Sequence, residues 1–274
     1  MGSLRADLHL HTYYSDGLFS PAELVNEGKE AGLEAFAVTD HDCMLACAET
    51  KKLCEKEGIK FIPGIEISAY DGDIKIHTLG YGLDEDSPAF KEFFKFLYES
   101  SIKRAEDIIF KLNNSGIKLT LEDALKERFS ENSPLHIMHI ATAGAKKYGK
   151  DRLQFFNEYL SYGKVGYSQI CRPTPEQAVE LIKESGGVSS LAHPGRISLS
   201  KEGVLSLVKR LKSCGLGGIE AVYSAHTITD TAYYKEMAKT FNLIVTGGSD
   251  AHFRGGRKVG FPAFFLDGSL AEKF

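Results

Sequence analysis

Leu4-Arg5-Ala6-Asp7-Leu8-His9-Leu10-His11 is an apolar run that ends in two histidines at alternate positions. In an extended chain, residues two apart face the same side, so His9 and His11 stand together where a strand finishes. Other short apolar runs finish in the same way. Residues 35–39 lead into His41, residues 60–68 carry Glu66, residues 188–192 lead into His193, and residues 243–246 lead toward Asp250-Ala251-His252. Residues 74–81 read as a strand with His77 inside it, and Asp16 follows His11 by five positions. Between these runs the spacing turns helical. Ser20 caps a helix with Pro21 at its first position, Gly58 closes one over 45–57, and Thr174-Pro175-Glu176 starts another. Helices are also expected over 205–214 and 233–241, with strands over 218–223 and 261–266. Strand–helix alternation predicts an α/β fold, a parallel sheet or barrel with helices outside.

In such a barrel the C-terminal strand ends share one rim, where active sites are built. His9, His11, His41, His77, His193 and His252, with Asp16, Glu66 and Asp250, would meet there from six strands. Alone, His77 also reads as an ordinary core histidine. Packed together, the nine are electrostatically poor unless cations hold them. They are too many for one tetrahedral ion and suit two or three ions sharing carboxylates. Imidazole and carboxylate without thiolate suit manganese, iron(II) or zinc.

The middle of the chain breaks the alternation. Phe90, Phe93, Phe94, Leu97, Ala105, Ile108, Ile109 and Leu112 recur at helical spacing, and helices are expected over 121–129, 136–147 and 152–162. Residues 98–171 therefore read as a helical insertion between two barrel parts, 1–97 and 172–274. The insertion holds 11 Lys/Arg against 9 Asp/Glu, in a chain of 274 residues with net charge −4. That balance argues against a double-stranded nucleic-acid binder. No apolar run approaches the roughly 18 residues of a membrane span. The N-terminus lacks a secretory apolar region, so a cytoplasmic location is expected and no membrane partner. None of the five cysteines sits in a Cys-x-x-Cys pair; Cys43, Cys47 and Cys54 read as a buried stripe. Phe93, Phe94, Phe96 and Tyr98 read as helix-face packing ahead of a base-stacking platform.

Asp7-Leu8-His9-Leu10-His11-Thr12, Ser15-Asp16-Gly17, Thr39-Asp40-His41-Asp42, Gly64-Ile65-Glu66, Ala192-His193-Pro194-Gly195-Arg196 and Gly248-Ser249-Asp250-Ala251-His252 resemble the motifs of the PHP (polymerase and histidinol phosphatase) family. Within it they are most similar to the stand-alone metal-dependent phosphoesterases related to RNase AM and the nucleoside 3′,5′-bisphosphate phosphatases. The resemblance runs over nearly the whole chain. It implies a distorted (β/α)7 PHP-type barrel with a helical insertion, and three divalent ions, Mn2+ foremost with Fe2+ or Zn2+ as alternatives. His9, His11, Glu66 and Asp250 would hold one ion. Asp16, His41 and His252 would hold the second, and Glu66 would bridge to a third completed by His77 and His193.

The implied activity is phosphoester hydrolysis by a metal-bound hydroxide. The implied substrate is small: a nucleotide such as a 3′,5′-bisphosphate or AMP, or the end of a short single-stranded oligonucleotide. A 5′–3′ exoribonuclease, an amidohydrolase-type deaminase or lactonase, and a non-catalytic metal-stabilised module are the alternatives. The amidohydrolase pattern has a strand-borne lysine and a lone late aspartate, whereas this chain offers Glu66 and Asp250-x-His252.

Asp250 and His226 are the expected catalytic pair, with His226 contacting phosphate or donating a proton to the leaving oxygen. Arg196 offers a planar fork to a phosphate, or else a surface salt bridge. Lys103, Arg104 and His139 lie in segments that resemble substrate-contacting ones in relatives, although the arginine common beside that histidine segment is absent: Ile137 and Thr142 stand nearby. His136 reads as structural. Asp7 and Asp40 read as bracing histidine rings or as plain strand-end hydrogen bonding. Phe253 stands where a glycine commonly follows the last histidine.

Overall fold

The computed structural model describes residues 2–84, 86–131, 133–169, 171–272 and 274. The first half runs β1 (Ser3–Asp7), α1 (Pro21–Glu30), β2 (Ala35–Val38), α2 (Cys47–Glu57), β3 (Lys60–Asp71) and β4 (Ile74–Tyr81). Helices α3 (Pro88–Asn114), α4 (Leu121–Leu125), α5 (Ile137–Tyr148) and α6 (Arg152–Phe155) follow. Then come α7 (Pro175–Glu184), β5 (Val188–Leu191), α8 (Lys201–Cys214), β6 (Gly218–Tyr223), α9 (Ile228–Thr240), β7 (Ile244–Gly248), β8 (Phe264–Asp267) and α10 (Gly268–Ala271).

The strands form one sheet in the order β7-β6-β5-β4-β3-β2-β1-β8. It is not wholly parallel. β4 lies antiparallel between β3 and β5, and β8 lies antiparallel on β1. The cause is local: Gly72 at φ +60° turns the chain within two residues, too short a link for a parallel crossover. β4 thus presents its first half to the rim on which its neighbours end, and His77 reaches that rim from inside a strand.

Beyond Asp7 the chain leaves β8 and turns to the far edge of the sheet. Leu8 N–H donates to Gly247 O at 3.0 Å, Asp250 N–H to His9 O at 2.8 Å, and His11 N–H to Ala251 O at 3.1 Å. These rungs close the sheet into a barrel. Ala6, Leu8, Ala37, Ile62, Leu79 and Val222 fill it, and Tyr81 donates its hydroxyl to Leu8 O at 2.9 Å.

Two helices begin earlier than periodicity suggests, because caps set their starts. Ser200 accepts from Gly203 N–H ahead of α8, and Thr227 with Asp230 forms a capping box ahead of α9. The helix expected over 121–129 stops at Leu125, and α6 passes into a π-helical turn at Phe156–Leu160.

α3 joins two cores. Phe90, Phe93 and Leu97 pack on Ile65, Ile67 and Ile182 of the barrel, while Ala105, Ile108 and Leu112 pack on Ile140, Phe155 and Leu160. At about 1.5 Å per residue the helix is roughly 40 Å long. Cys43, Cys47 and Cys54 are buried. Among the described residues no helix is long and apolar enough to cross a membrane.

Candidate metal centre

The rim brings all nine selected side chains together, with Glu66 at the hub. Its Oε2 lies 3.3 Å from His9 Nε2, 3.3 Å from His11 Nε2 and 3.1 Å from His41 Nδ1. Its Oε1 lies 2.8 Å from His77 Nδ1 and 3.0 Å from His193 Nε2. Asp250 Oδ1 stands 3.2 Å from His11 Nε2, and Asp16 Oδ1 stands 3.3 Å from His252 Nε2.

Three groups have donor atoms within 4.8 Å of one another: His9, His11, Glu66 and Asp250; His11, Asp16, His41 and His252; and His41, Glu66 and His77. The first is the set that the resemblance implied. The other two differ in that His11 joins the second, and His41 takes the place of His193 in the third.

The fit to cations can be tested on the atoms. His9 Nε2, both ring nitrogens of His11, Asp16 Oδ1, His41 Nδ1, Glu66 Oε2, His77 Nε2 and His193 Nδ1 are buried without a hydrogen-bond partner among the described residues. A buried polar atom left so costs about 1–3 kcal/mol. Three imidazole nitrogens crowd Glu66 Oε2, none in hydrogen-bonding geometry, as ligands sharing an ion do.

Charge states point the same way. Burial alone would raise the carboxyls of Glu66, Asp16 and Asp250, but the surrounding imidazoles outweigh it and hold all three well below the usual range. Burial brings His77 down to about 3 despite Glu66. Burial also works against a charge on His11, yet its contacts to Asp250 and Glu66 lift it to about 10. The cluster therefore calls for positive charge, which divalent ions supply.

Second partners hold these side chains in place. Glu220, in β6 and fully buried, accepts from His9 Nδ1 at 2.9 Å through Oε1 and from His193 N–H at 2.7 Å through Oε2. Sequence reasoning missed it; the signal was a charged residue inside the apolar run Gly218-Ile219-Glu220-Ala221-Val222-Tyr223. Asp7 and Asp40 hold strand-end backbone and, for Asp40, two hydroxyls as well, with no hydrogen bond to a histidine ring among the described residues. Asp7 accepts from the N–H groups of His9, Ser249 and Gly260, and Asp40 accepts from Thr12 N–H, Thr12 Oγ1 and Ser15 Oγ.

A cavity of about 900 Å³ opens over the cluster, lined by Arg196 and Arg257 among others. Arg196 is half exposed and donates to Tyr223 Oη at 3.1 Å. Arg257, not singled out from the sequence, bonds Asp250 Oδ2, which also accepts from Tyr223 Oη at 2.8 Å.

The remaining candidates fall elsewhere. His226 has both ring nitrogens engaged, Nε2 accepting from Gly195 N–H at 3.1 Å and Nδ1 donating to Ala221 O at 3.1 Å, so as placed it buttresses the Pro194–Arg196 turn. Lys103 is exposed in a shallow groove with Asp107 and Gln169. His139 Nδ1 accepts from His136 N–H at 3.1 Å and closes the start of α5. It is His136, read from the sequence as structural, that lines a cavity, together with Arg104.

The pattern that defines the PHP domain matches residues 7–183. A 3′,5′-nucleoside bisphosphate phosphatase of Chromobacterium violaceum is 32% identical over 93% of this chain and 90% of its own length. A phosphoribosyl 1,2-cyclic phosphate 1,2-diphosphodiesterase of Eggerthella lenta is 31% identical over 93% of this chain and 97% of its own. The 5′-3′ exoribonuclease Rnm of Escherichia coli is 32% identical over 94% of this chain and 90% of its own. Among solved structures, a putative metal-dependent phosphoesterase from Bifidobacterium adolescentis superposes with a TM-score of 0.84 at 26% identity, covering 97% of this chain and 94% of that one.

Proposed function

This chain belongs to the PHP domain family and is a metal-dependent phosphoester hydrolase, and we propose that its substrate is a small phosphorylated molecule, a nucleotide or the end of a short oligonucleotide. The observation that carries this reading is the nine-residue cluster around Glu66 beneath a cavity flanked by two arginines. We assign His9, His11, Glu66 and Asp250 to one ion, Asp16, His41 and His252 with His11 to a second, and Glu66, His77 and His193 with His41 to a third, with manganese as the favoured metal. When bound, such ions supply Lewis acidity and bring the pKa of a coordinated water from 15.7 to about 7.

The protein's own groups do the rest. Arg196 and Arg257 stand where they can hold phosphate oxygens, and their fixed positive charge favours the transition state of an in-line displacement. Tyr223 and Arg257 hold the outer oxygen of Asp250, leaving its inner oxygen to the cluster. Residues 98–171 form the cap that restricts the site to small or single-stranded substrates, and we place the enzyme in the cytoplasm. A 5′–3′ exoribonuclease is the second reading, supported by the relative of that name.

Purified protein with Mn2+ is assayed against adenosine 3′,5′-bisphosphate, AMP and a short 5′-phosphorylated RNA, with a chelator control. Chelator-sensitive phosphate release from the bisphosphate is expected. Mononucleotides shed from the RNA favour the exonuclease, and inactivity on all three with metal bound refutes the nucleotide assignment.

A further inference from the structure

Asp250 differs from the other two carboxylates of the cluster in what holds it. Among the described residues, Glu66 and Asp16 have only imidazoles within ion-pairing distance. Asp250 Oδ1 likewise faces His11 Nε2 at 3.2 Å, His252 Nδ1 at 3.4 Å and His9 Nε2 at 3.6 Å. Its Oδ2, however, is taken. Arg257 Nη1 bonds it, Tyr223 Oη donates to it at 2.8 Å, and Arg196 Nη1 lies 3.8 Å away. Arg257 Nη1 also donates to Asp250 O at 3.2 Å, and its guanidinium lies over the Tyr223 ring, 5.4 Å from the centroid. Asp250 itself sits at φ +55°, a left-handed conformation that is strained for a side-chain-bearing residue and persists only where neighbours hold it.

Two readings of that arginine predict opposite effects. As a brace, it fixes a strained residue and strengthens the site. As a charge, it competes: a guanidinium on one oxygen draws on the charge of the carboxylate and repels a dication approaching the other. Orientation does not need it, because Tyr223 is buried and holds the same oxygen. The contrast with Glu220 is one of sign. An anion behind His9 makes that imidazole a better donor, whereas a cation behind Asp250 makes the carboxylate a poorer one. Arg257 is also placed to leave. Its side chain is 31% exposed, it lines the cavity of about 900 Å³, and no helix or strand lies between β7 and β8 to fix its loop. A phosphate group offers a guanidinium the same paired acceptors as a carboxylate, with more charge.

We propose that Arg257 is an internal competitor for the metal, paired with Asp250 in the open site and exchanged onto the phosphate when substrate arrives. This rests on the phosphoester-hydrolase reading above and adds a regulation to it. With Arg257 withdrawn, the whole charge of Asp250 serves the ion it shares with His9, His11 and Glu66. Conversely, once Asp250 is engaged by an ion, its pull on Arg257 weakens and the guanidinium is free for phosphate. Substrate and metal therefore tighten each other's binding by the same factor, as linkage requires. The ion is held loosely at rest and firmly once there is a phosphate to act on.

The test uses Arg257→Gln and Arg257→Met. The second variant keeps an apolar stem on the Tyr223 ring, so a folding defect in the first does not decide the matter. Chelator-stripped protein is titrated with Mn2+, and the free ion is read by EPR with and without inorganic phosphate. Without phosphate, one step of the titration should fall at about tenfold lower Mn2+ in each variant, the scale of removing one charge from beside a doubly charged ion at an aqueous mouth. With phosphate, the wild-type step should move towards that of the variants, which themselves move less. Variants that bind Mn2+ as the wild type does, or more loosely, overturn the competition and leave Arg257 a brace. A phosphate shift as large in the variants as in the wild type overturns the exchange. Wild-type protein that takes up no Mn2+ refutes the metal assignment itself, and the proposal with it.

Discussion

Glu220→Gln alters the chemistry of one atom and almost no shape, which makes it a sharp probe of the metal centre. The carboxylate accepts two hydrogen bonds, one on each oxygen, from His9 Nδ1 at 2.9 Å and His193 N–H at 2.7 Å. A carboxamide has one oxygen and one NH2, so whichever way it turns, a donor meets a donor. One buried N–H is then left unmet, at about 1–3 kcal/mol, and the surviving bond loses its charge assistance. Water has no open route to repair the bond to His9, since the Glu220 and His9 side chains are both fully buried. His9 is the ligand whose orientation depends on the lost contact, and loss of such a supporting partner typically weakens metal affinity about 10–100-fold. The assay is reactivation of chelator-stripped protein by Mn2+, with total metal measured by mass spectrometry. The midpoint should move to at least about tenfold higher Mn2+, with activity recovered at saturation. A variant that reactivates along the wild-type curve refutes the argument that Glu220 orients His9.

Two further outcomes follow from packing and titration. A Cβ at Gly248 would lie 2.4 Å from His9 Cβ and 2.6 Å from His9 N, where β7 meets the extension of β1, so Gly248→Ala should cost about 1–3 kcal/mol in urea unfolding; an unchanged midpoint would contradict this close approach. His139 is held down to about 4 by burial, with Arg128 adding to it, whereas in the unfolded chain it titrates near 6.5. The unfolded state therefore binds the proton first as pH drops, and stability present above about 6.5 is lost on going down toward about 4, by about 3 kcal/mol in full. His139→Gln should flatten that slope relative to wild type, and parallel curves would show that His139 does not set it.

The barrel and the rim cluster were legible because every member of the cluster but Asp16 ends, follows or interrupts a short apolar run, and a run of that kind can be read without knowing its neighbours. Direction was not legible for β4: the alternation around it suggested parallel strands, and only the brevity of the Asp71-Gly72-Asp73 turn opposes that. Glu220 escaped because its charge marks it within an apolar run, yet nothing local says that it meets a histidine more than two hundred positions away. His136 and His139 exchanged roles for a similar reason. Their spacing places both at the start of α5, and which of them turns inward to cap the helix depends on the π-helical turn and the barrel rim packed around it. Arg257 followed the last histidine in a stretch without periodicity, so its pairing with Asp250 could not be anticipated.

The hydrogen bonds that close the barrel run through Leu8, His9, His11, Gly247, Asp250 and Ala251, so the seam of the sheet and the ligand cluster are one stretch of backbone. That has a consequence for solubility. If the seam frays, the Leu8–His11 extension of β1 and the outer edge of β7 each present a bare row of N–H and C=O groups, the kind of edge on which separate chains pair and aggregate. Every contact that keeps His9, His11 and Asp250 in register also keeps those edges covered. The same residues that prepare the protein for its metal guard it against its own copies.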